Sequence, residues 1–160
     1  MPVLFQTQLR VVRFRRDRLL RLAKALLSDV GESAAELGLT FIGDRRMRQL
    51  NHRFRNKDSS TDVLAFAARE ARLPHAVGLS VRLLGDVVIS VPTAMRQAKE
   101  GRRSLDQELV ALMIHGILHL CGYDHERSDS EARRMERRER ILLKRLGNIP
   151  RFVHRRPLKR

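Results

Sequence analysis

The chain has 160 residues, a length that fits one domain and excludes most two-domain enzymes. Hydrophobic residues make up 42% and charged residues 32%, so a substantial core is available and wholesale disorder is excluded. The single cysteine, Cys121, rules out an intramolecular disulfide framework and a four-cysteine metal knuckle. Thirty-three Lys and Arg against 18 acidic residues leave a formal charge of +15, a field that concentrates a polyanion such as nucleic acid at the surface. Twenty-eight of the basic residues are Arg, which suits bidentate phosphate contacts but equally reflects genomic base composition. No run of about 18 apolar residues, the length of a spanning helix, occurs, and the N-terminus lacks an apolar stretch followed by small residues. The chain reads as a soluble cytoplasmic protein that does not engage a membrane.

In chain order, residues 3 to 14 alternate loosely through Val3, Phe5, Val11, Val12 and Phe14 and are expected to form a strand. Asp17 is placed to cap the following helix, which carries Leu19, Leu22, Ala23, Leu26 and Leu27 and ends near Gly31. Leu37 to Ile42 reads as a second strand, and Asp44 starts a short helix through Met47, Leu50 and Asn51. Phe54 to Ser60 reads as a polar loop, Val63 to Phe66 as a short strand, and Ala67 to Ser80, with Pro74 and Gly78, mostly as loop. Leu83 to Ser90 is a strand, and Pro92 sits in the first turn of a helix that Gly101 closes. Ser104 with Gln107, and Ser128 with Glu131, form capping boxes for helices ending near Cys121 and Gly147. Residues 151 to 160, RFVHRRPLKR, hold five basic and no acidic side chains and read as a mobile tail, either touching RNA or merely solubilising. The pattern predicts an α+β fold, a small mixed β-sheet covered by helices, with one domain over 1–147 and a basic tail over 148–160.

The most informative segment is MIHGILHLCGYDHE, Met113 to Glu126. Val110 to Cys121 contains no charged residue and reads as a buried helix, where an unpartnered imidazole costs about 1–3 kcal/mol per polar group. His115 and His119, four apart, project from one helical face with Cβ atoms roughly 5–6 Å apart, close enough to share an ion. Gly122 can end the helix in a left-handed turn, which lets Tyr123 and Asp124 bring His125 back as a third ligand. Three neutral imidazoles suit Zn²⁺, one per chain, and leave a fourth position for water that the metal acidifies towards pKa ~7. The implied reaction type is hydrolysis, and the bland alternative is three satisfied histidines without metal. Cys121 lies two positions past His119, roughly 200° around the helix, and is expected to be a small core residue.

The same segment resembles the metal helix of the zincins, whose HExxH motif supplies two ligands and a catalytic glutamate. Gly116 occupies the glutamate position, so the peptidase base is missing, and the basic surface argues for a phosphodiester substrate instead.

HGILHLCGYDH further resembles the HGxLHLxGYDH signature of the YbeY family, bacterial endoribonucleases of ribosomal RNA maturation. Leu50 to Phe66 (LNHRFRNKDSSTDVLAF), Leu83 to Ser90 (LLGDVVIS) and the Glu136 to Gly147 helix extend the likeness over residues 3 to 147. The resemblance implies zinc ligation by His115, His119 and His125 and a catalytic Arg55 in a loop ahead of the strand. It also implies a single-strand-specific endoribonuclease acting on an rRNA precursor and on the ribosome, at its small subunit, in maturation and quality control. Ser60 replaces the family's usual Pro, and Ala65 and Ala67 replace the Ser and Pro of VLSFP, without removing a proposed ligand. A guanidinium near zinc could hold a nonbridging phosphate oxygen, although Arg55 alone would pass for a solvated loop charge. Asp62 is expected to tie down the same loop, and Asp124 either accepts a ligand imidazole's second N–H or forms the turn. No role for Asp86 is read from spacing, while His52, His75 and His154 read as surface residues and Arg133 to Arg140 as a solvated helix face. The alternatives from other classes are a non-catalytic ribosome assembly factor with structural zinc, and a zinc peptidase.

Overall fold

A computed structural model describes residues 3–68 and 82–156. In chain order its elements are β1 (Val3–Thr7), β2 (Val12–Phe14), α1 (Arg16–Asp29), β3 (Ala35–Ile42), α2 (Asp44–Arg55), β4 (Val63–Ala67), β5 (Arg82–Ser90), α3 (Val91–Glu100), α4 (Leu105–Leu120), α5 (Asp129–Leu146) and β6 (Val153–Arg155). Strict alternation of burial along β3 gives it one fully inward face, as expected for a strand with period two. β3 is flanked in parallel by β1 and β5, and β4 adds antiparallel to the far side of β5. The result is a four-stranded mixed sheet of order β1-β3-β5-β4. Parallel neighbours require long crossovers, which α1 supplies between β1 and β3.

Leu19, Leu22, Ala23, Leu26 and Leu27 of α1 are buried, and most of α4 is buried around its whole circumference, the signature of a central helix. Both contribute to one apolar cluster with the inner face of the sheet, Met135 and Leu142 of α5, and Phe152. A smaller cluster of Met47, Leu64 and Val88 lies under α2. The α+β expectation of a small mixed sheet covered by helices therefore describes the fold. Among the described residues no helix is long and apolar enough to cross a membrane.

Four local expectations differ from the structure. The stretch 3 to 14 is two strands in different sheets, because β2 leaves β1 and pairs antiparallel with β6. Asp17 does not cap α1: the helix starts after Arg15, whose N–H donates to the Phe152 carbonyl at 2.7 Å, and Asp17 instead pairs with Arg21 one turn on. α2 runs to Arg55 rather than ending near Asn51, since Asn56 takes the left-handed conformation (φ 57°) that closes the helix. Phe54 and Arg55 thus sit in a helical turn, not in a loop.

The fourth difference is the tail. Residues 151–156 are docked, with Phe152 fully buried and Val153 nearly so. The Asp106 carboxylate, buried in the first turn of α4, accepts both the Phe152 and Val153 N–H groups at 2.7 and 3.0 Å. The dense arginines of the stretch masked two core residues. Residues 157–160 of the tail, and 69–80 of the expected loop including His75, lie outside the described residues.

Candidate metal centre

The centre is built on α4. Ser104 opens the helix with a complete capping box to Gln107, and the helix lies against β4 and β5. Close approach depends on Gly116: a Cβ there would fall 2.6 Å from Val87 Cγ1 and 3.4 Å from Val63 Cγ2. The glutamate that a zincin peptidase carries at this position has no space on this sheet, which removes the structural basis for the peptidase alternative.

At the other end, Gly122 adopts φ 100°, and the Gly122 and Tyr123 N–H groups return to the His119 and Leu118 carbonyls at 3.0 Å each. This reversal is the one expected from sequence. It carries His125 back over the helix, so that the three imidazole centroids lie 4.9 Å (His115–His119), 5.0 Å (His115–His125) and 5.1 Å (His119–His125) apart. One ring nitrogen from each histidine falls within 4.8 Å of the others, and no other such group of His, Cys, Asp or Glu occurs among the described residues. His119 Nε2 and His125 Nδ1 approach to 3.1 Å. Three histidines are thus positioned to bind one metal ion, with His115 and His119 half-buried and His125 exposed.

The electrostatics favour the ligand form of the ring. Burial first, and the neighbouring His115 and His125 second, push the His119 pKa down, keeping its nitrogen lone pair free for a metal near neutral pH. His115 Nδ1 lies 2.8 Å from Glu139 Oε1 on α5. A proton on Nδ1 facing the carboxylate leaves His115 Nε2 as the donor atom, the usual way an outer carboxylate fixes a ligand tautomer.

Sequence reasoning missed Glu139 and offered Asp124 either for this role or as a turn former. The structure bears out the turn: Asp124 Oδ1 accepts the Glu126 N–H at 3.0 Å in the turn that presents His125. The missed signal was periodicity: Glu139 lies four residues after Met135 and three before Leu142, both buried, so it belongs to the inward stripe of α5 rather than to a solvated face.

The histidines open into a cleft of about 770 Å³ that also takes in Asn51, Arg55, Lys57, Asp62 and Tyr123. Arg55 therefore shares the cleft with the triad. Its Nη2 donates to the Ala65 carbonyl at 2.8 Å, and its guanidinium sits 5.5 Å over the Phe66 ring. Asp62 ties down the loop before β4 as expected, accepting the Val63 N–H at 2.8 Å and the Gln97 amide at 3.1 Å. The base of α2 is fixed by Asp44, which accepts from Ser90, Thr93 and Arg96. Burial opposes ionisation there, but these donors bring the Asp44 pKa down to about 2. Cys121 sits half-buried against the core at the end of α4 and is not one of the three converging groups. Asp86 occupies the space a Cβ on Gly38 would need, away from the triad.

A family model described as Endoribonuclease YbeY matches residues 6–147. A protein of that name from Anaeromyxobacter is 47% identical over 132 residues, covering 82% of this chain and 65% of that protein's length. The Geobacter metallireducens protein is 44% identical over 126 residues, with 78% and 82% covered, and a Bacillus cereus protein is 42% identical over 124 residues, with 76% and 80% covered. The solution structure of a Thermotoga maritima protein superposes with a TM-score of 0.59 at 24% identity, over 89% of this chain and 87% of that one. That last likeness concerns the fold alone.

Proposed function

The chain belongs to the YbeY family, and from that premise we propose that it is a zinc-dependent, single-strand-specific endoribonuclease. Its place would be in ribosomal RNA maturation and ribosome quality control, working in the cytoplasm at the small subunit, with the groups that act on substrate all lying within residues 1–147. The observation that carries the reading is the convergence of His115, His119 and His125 in an open cleft shared with Arg55 and Lys57. A three-imidazole donor set fits Zn²⁺. When bound, the ion supplies positive charge against a substrate phosphate and acidifies water.

The remaining work falls to the chain's own groups. Glu139 holds His115 in register and in its donor tautomer. Arg55, bonded to a backbone carbonyl rather than to a carboxylate, keeps its full charge for a nonbridging phosphate oxygen, where it would stabilise charge developing during displacement. Lys57 adds a second cation at the cleft wall. The attacking oxygen is either water or the RNA 2′-hydroxyl. A 2′,3′-cyclic phosphate product end identifies the second, and a free phosphate formed without a cyclic species identifies the first. A purely structural ion, as in a non-catalytic assembly factor, would call for a fourth protein ligand.

The test is cleavage of single-stranded RNA and of its duplex form by purified wild-type protein beside Arg55→Ala. Wild type is expected to cut the single strand, and the variant to retain its metal while losing on the order of 10²-fold in rate, the typical cost of one donor to a developing oxyanion. A metal-loaded wild-type protein inert towards RNA contradicts the function, and an Arg55→Ala enzyme of undiminished rate contradicts the role of Arg55.

A further inference from the structure

The chain has six Phe, one Tyr and no Trp, and of these seven rings only Phe54 is exposed, at 53%. It belongs to neither apolar cluster, so core packing does not account for an aromatic ring in the last turn of so polar a helix. Its setting is specific. Phe54 meets Phe66 edge to face, with centroids 5.3 Å apart and planes at 66°. The Arg53 guanidinium lies 5.2 Å over Phe54, and that of Arg55 lies 5.5 Å over Phe66. The next residue after Phe54 is Arg55, which enters the histidine cleft.

Charge leads to the same place. Arg45, Arg46, His52 and Arg53 are exposed along α2, and among the described residues no carboxylate pairs with Arg45, Arg46 or Arg53. Arg48 is taken by Asp58, and Asp44 is committed to Ser90, Thr93 and Arg96. Arg46 and Arg53, seven apart, share a helix face about 10 Å apart along its axis. Uncompensated cations leading to a solvent-exposed ring, next in sequence to an arginine of the cleft, match a polyanion whose monomers carry π faces, which is single-stranded RNA. An acidic protein would satisfy the cations and leave the ring without a purpose.

We infer that Phe54, braced by Phe66 and flanked by Arg53 and Arg55, is a base-stacking platform next to the arginine that enters the histidine cleft, and that the outer face of α2 is the track for the RNA backbone leading to it. The inference rests on the nuclease reading for its substrate and adds where the strand lies and which group holds a base. An unpaired base stacks without sequence preference, because every base has a π face. A duplex hides its bases and gains nothing from the ring.

The test is equilibrium binding of the full chain to a short single-stranded oligoadenylate, in chelator so that the probe is not consumed, beside an abasic ribose-phosphate chain of equal length. Phe54→Ala and Phe54→Leu are expected to weaken oligoadenylate binding roughly 10- to 100-fold and to leave the abasic chain unaffected. Phe54→Trp is expected to bind both as wild type does, and Arg53→Ala to weaken both. Unchanged oligoadenylate binding by Phe54→Ala, or equal weakening on the abasic chain, overturns the platform. Cleavage supplies the separation from the nuclease reading: Phe54-dependent binding by a protein that never cuts RNA leaves the platform standing and removes the nuclease, whereas cutting with a KM indifferent to Phe54→Ala does the reverse.

Discussion

His119→Ala is expected to lose its metal and, with it, RNA cleavage, while keeping its fold. Removing an outer partner of a metal ligand typically costs 10–100-fold in affinity or activity, so deleting the ligand itself should cost about 10²-fold or more in metal affinity. The three rings stand at the corners of a triangle with sides of 4.9, 5.0 and 5.1 Å. His119 shares a helix face with His115 and approaches His125 Nδ1 to 3.1 Å, so its loss leaves only two imidazoles, too few to hold zinc as three do. The helix should survive, because α4 is held by the burial of Leu109, Val110, Met113, Ile114, Ile117 and Leu118 on all sides and by its capping box. Metal analysis, thermal melting and RNA cleavage on one preparation check all three statements. A His119→Ala protein with full metal content and full activity would dismiss the triad as the centre.

The second large effect lies far from the cleft. Phe152→Ala is expected to destabilise the protein by about 3–5 kcal/mol, the usual cost of emptying a buried aromatic position. That is a large share of a total stability of roughly 5–15 kcal/mol. The ring has no exposure at all, and the segment that carries it is held by the Phe152 and Val153 N–H bonds to the buried Asp106 carboxylate and by the pairing of β6, which follows at once, with β2. With the ring gone, that carboxylate and the ladder hold a segment without its anchor. Denaturant titration measures the change. A loss below about 1 kcal/mol would match the solvated surface residue that Phe152 resembles in sequence.

The contrast between these two sites explains what could be read from the chain. The histidine centre is local: an i, i+4 pair, a glycine turn and a third imidazole three residues on, all within eleven residues, so helical geometry alone brings the rings together. The capping box at Ser104 and the helix break at Gly122 were legible for the same reason. Glu139 was not, because its partner His115 is 24 residues away on another helix, and a run of arginines on either side disguised its place on the buried stripe of α5. The C-terminal strand failed differently. Its composition is that of a solvated tail, and only pairing with β2, some 140 residues earlier, reveals Phe152 and Val153 as core. Arg55 was found by resemblance rather than by physics. Its helical setting follows from Asn56, a residue that tolerates the left-handed conformation and that ends α2 one turn later than polarity alone suggests.

The proposed chemistry depends on a metal held by three imidazoles with one coordination position left to solvent. X-ray absorption spectroscopy on the purified, metal-replete protein, with total metal measured on the same sample, addresses it most directly. The expected result is about one zinc per chain, three nitrogen neighbours at about 2.0–2.1 Å and one exchangeable oxygen. A sulfur neighbour from Cys121, fewer than three imidazoles, or a fourth protein group closing the ion off would contradict it.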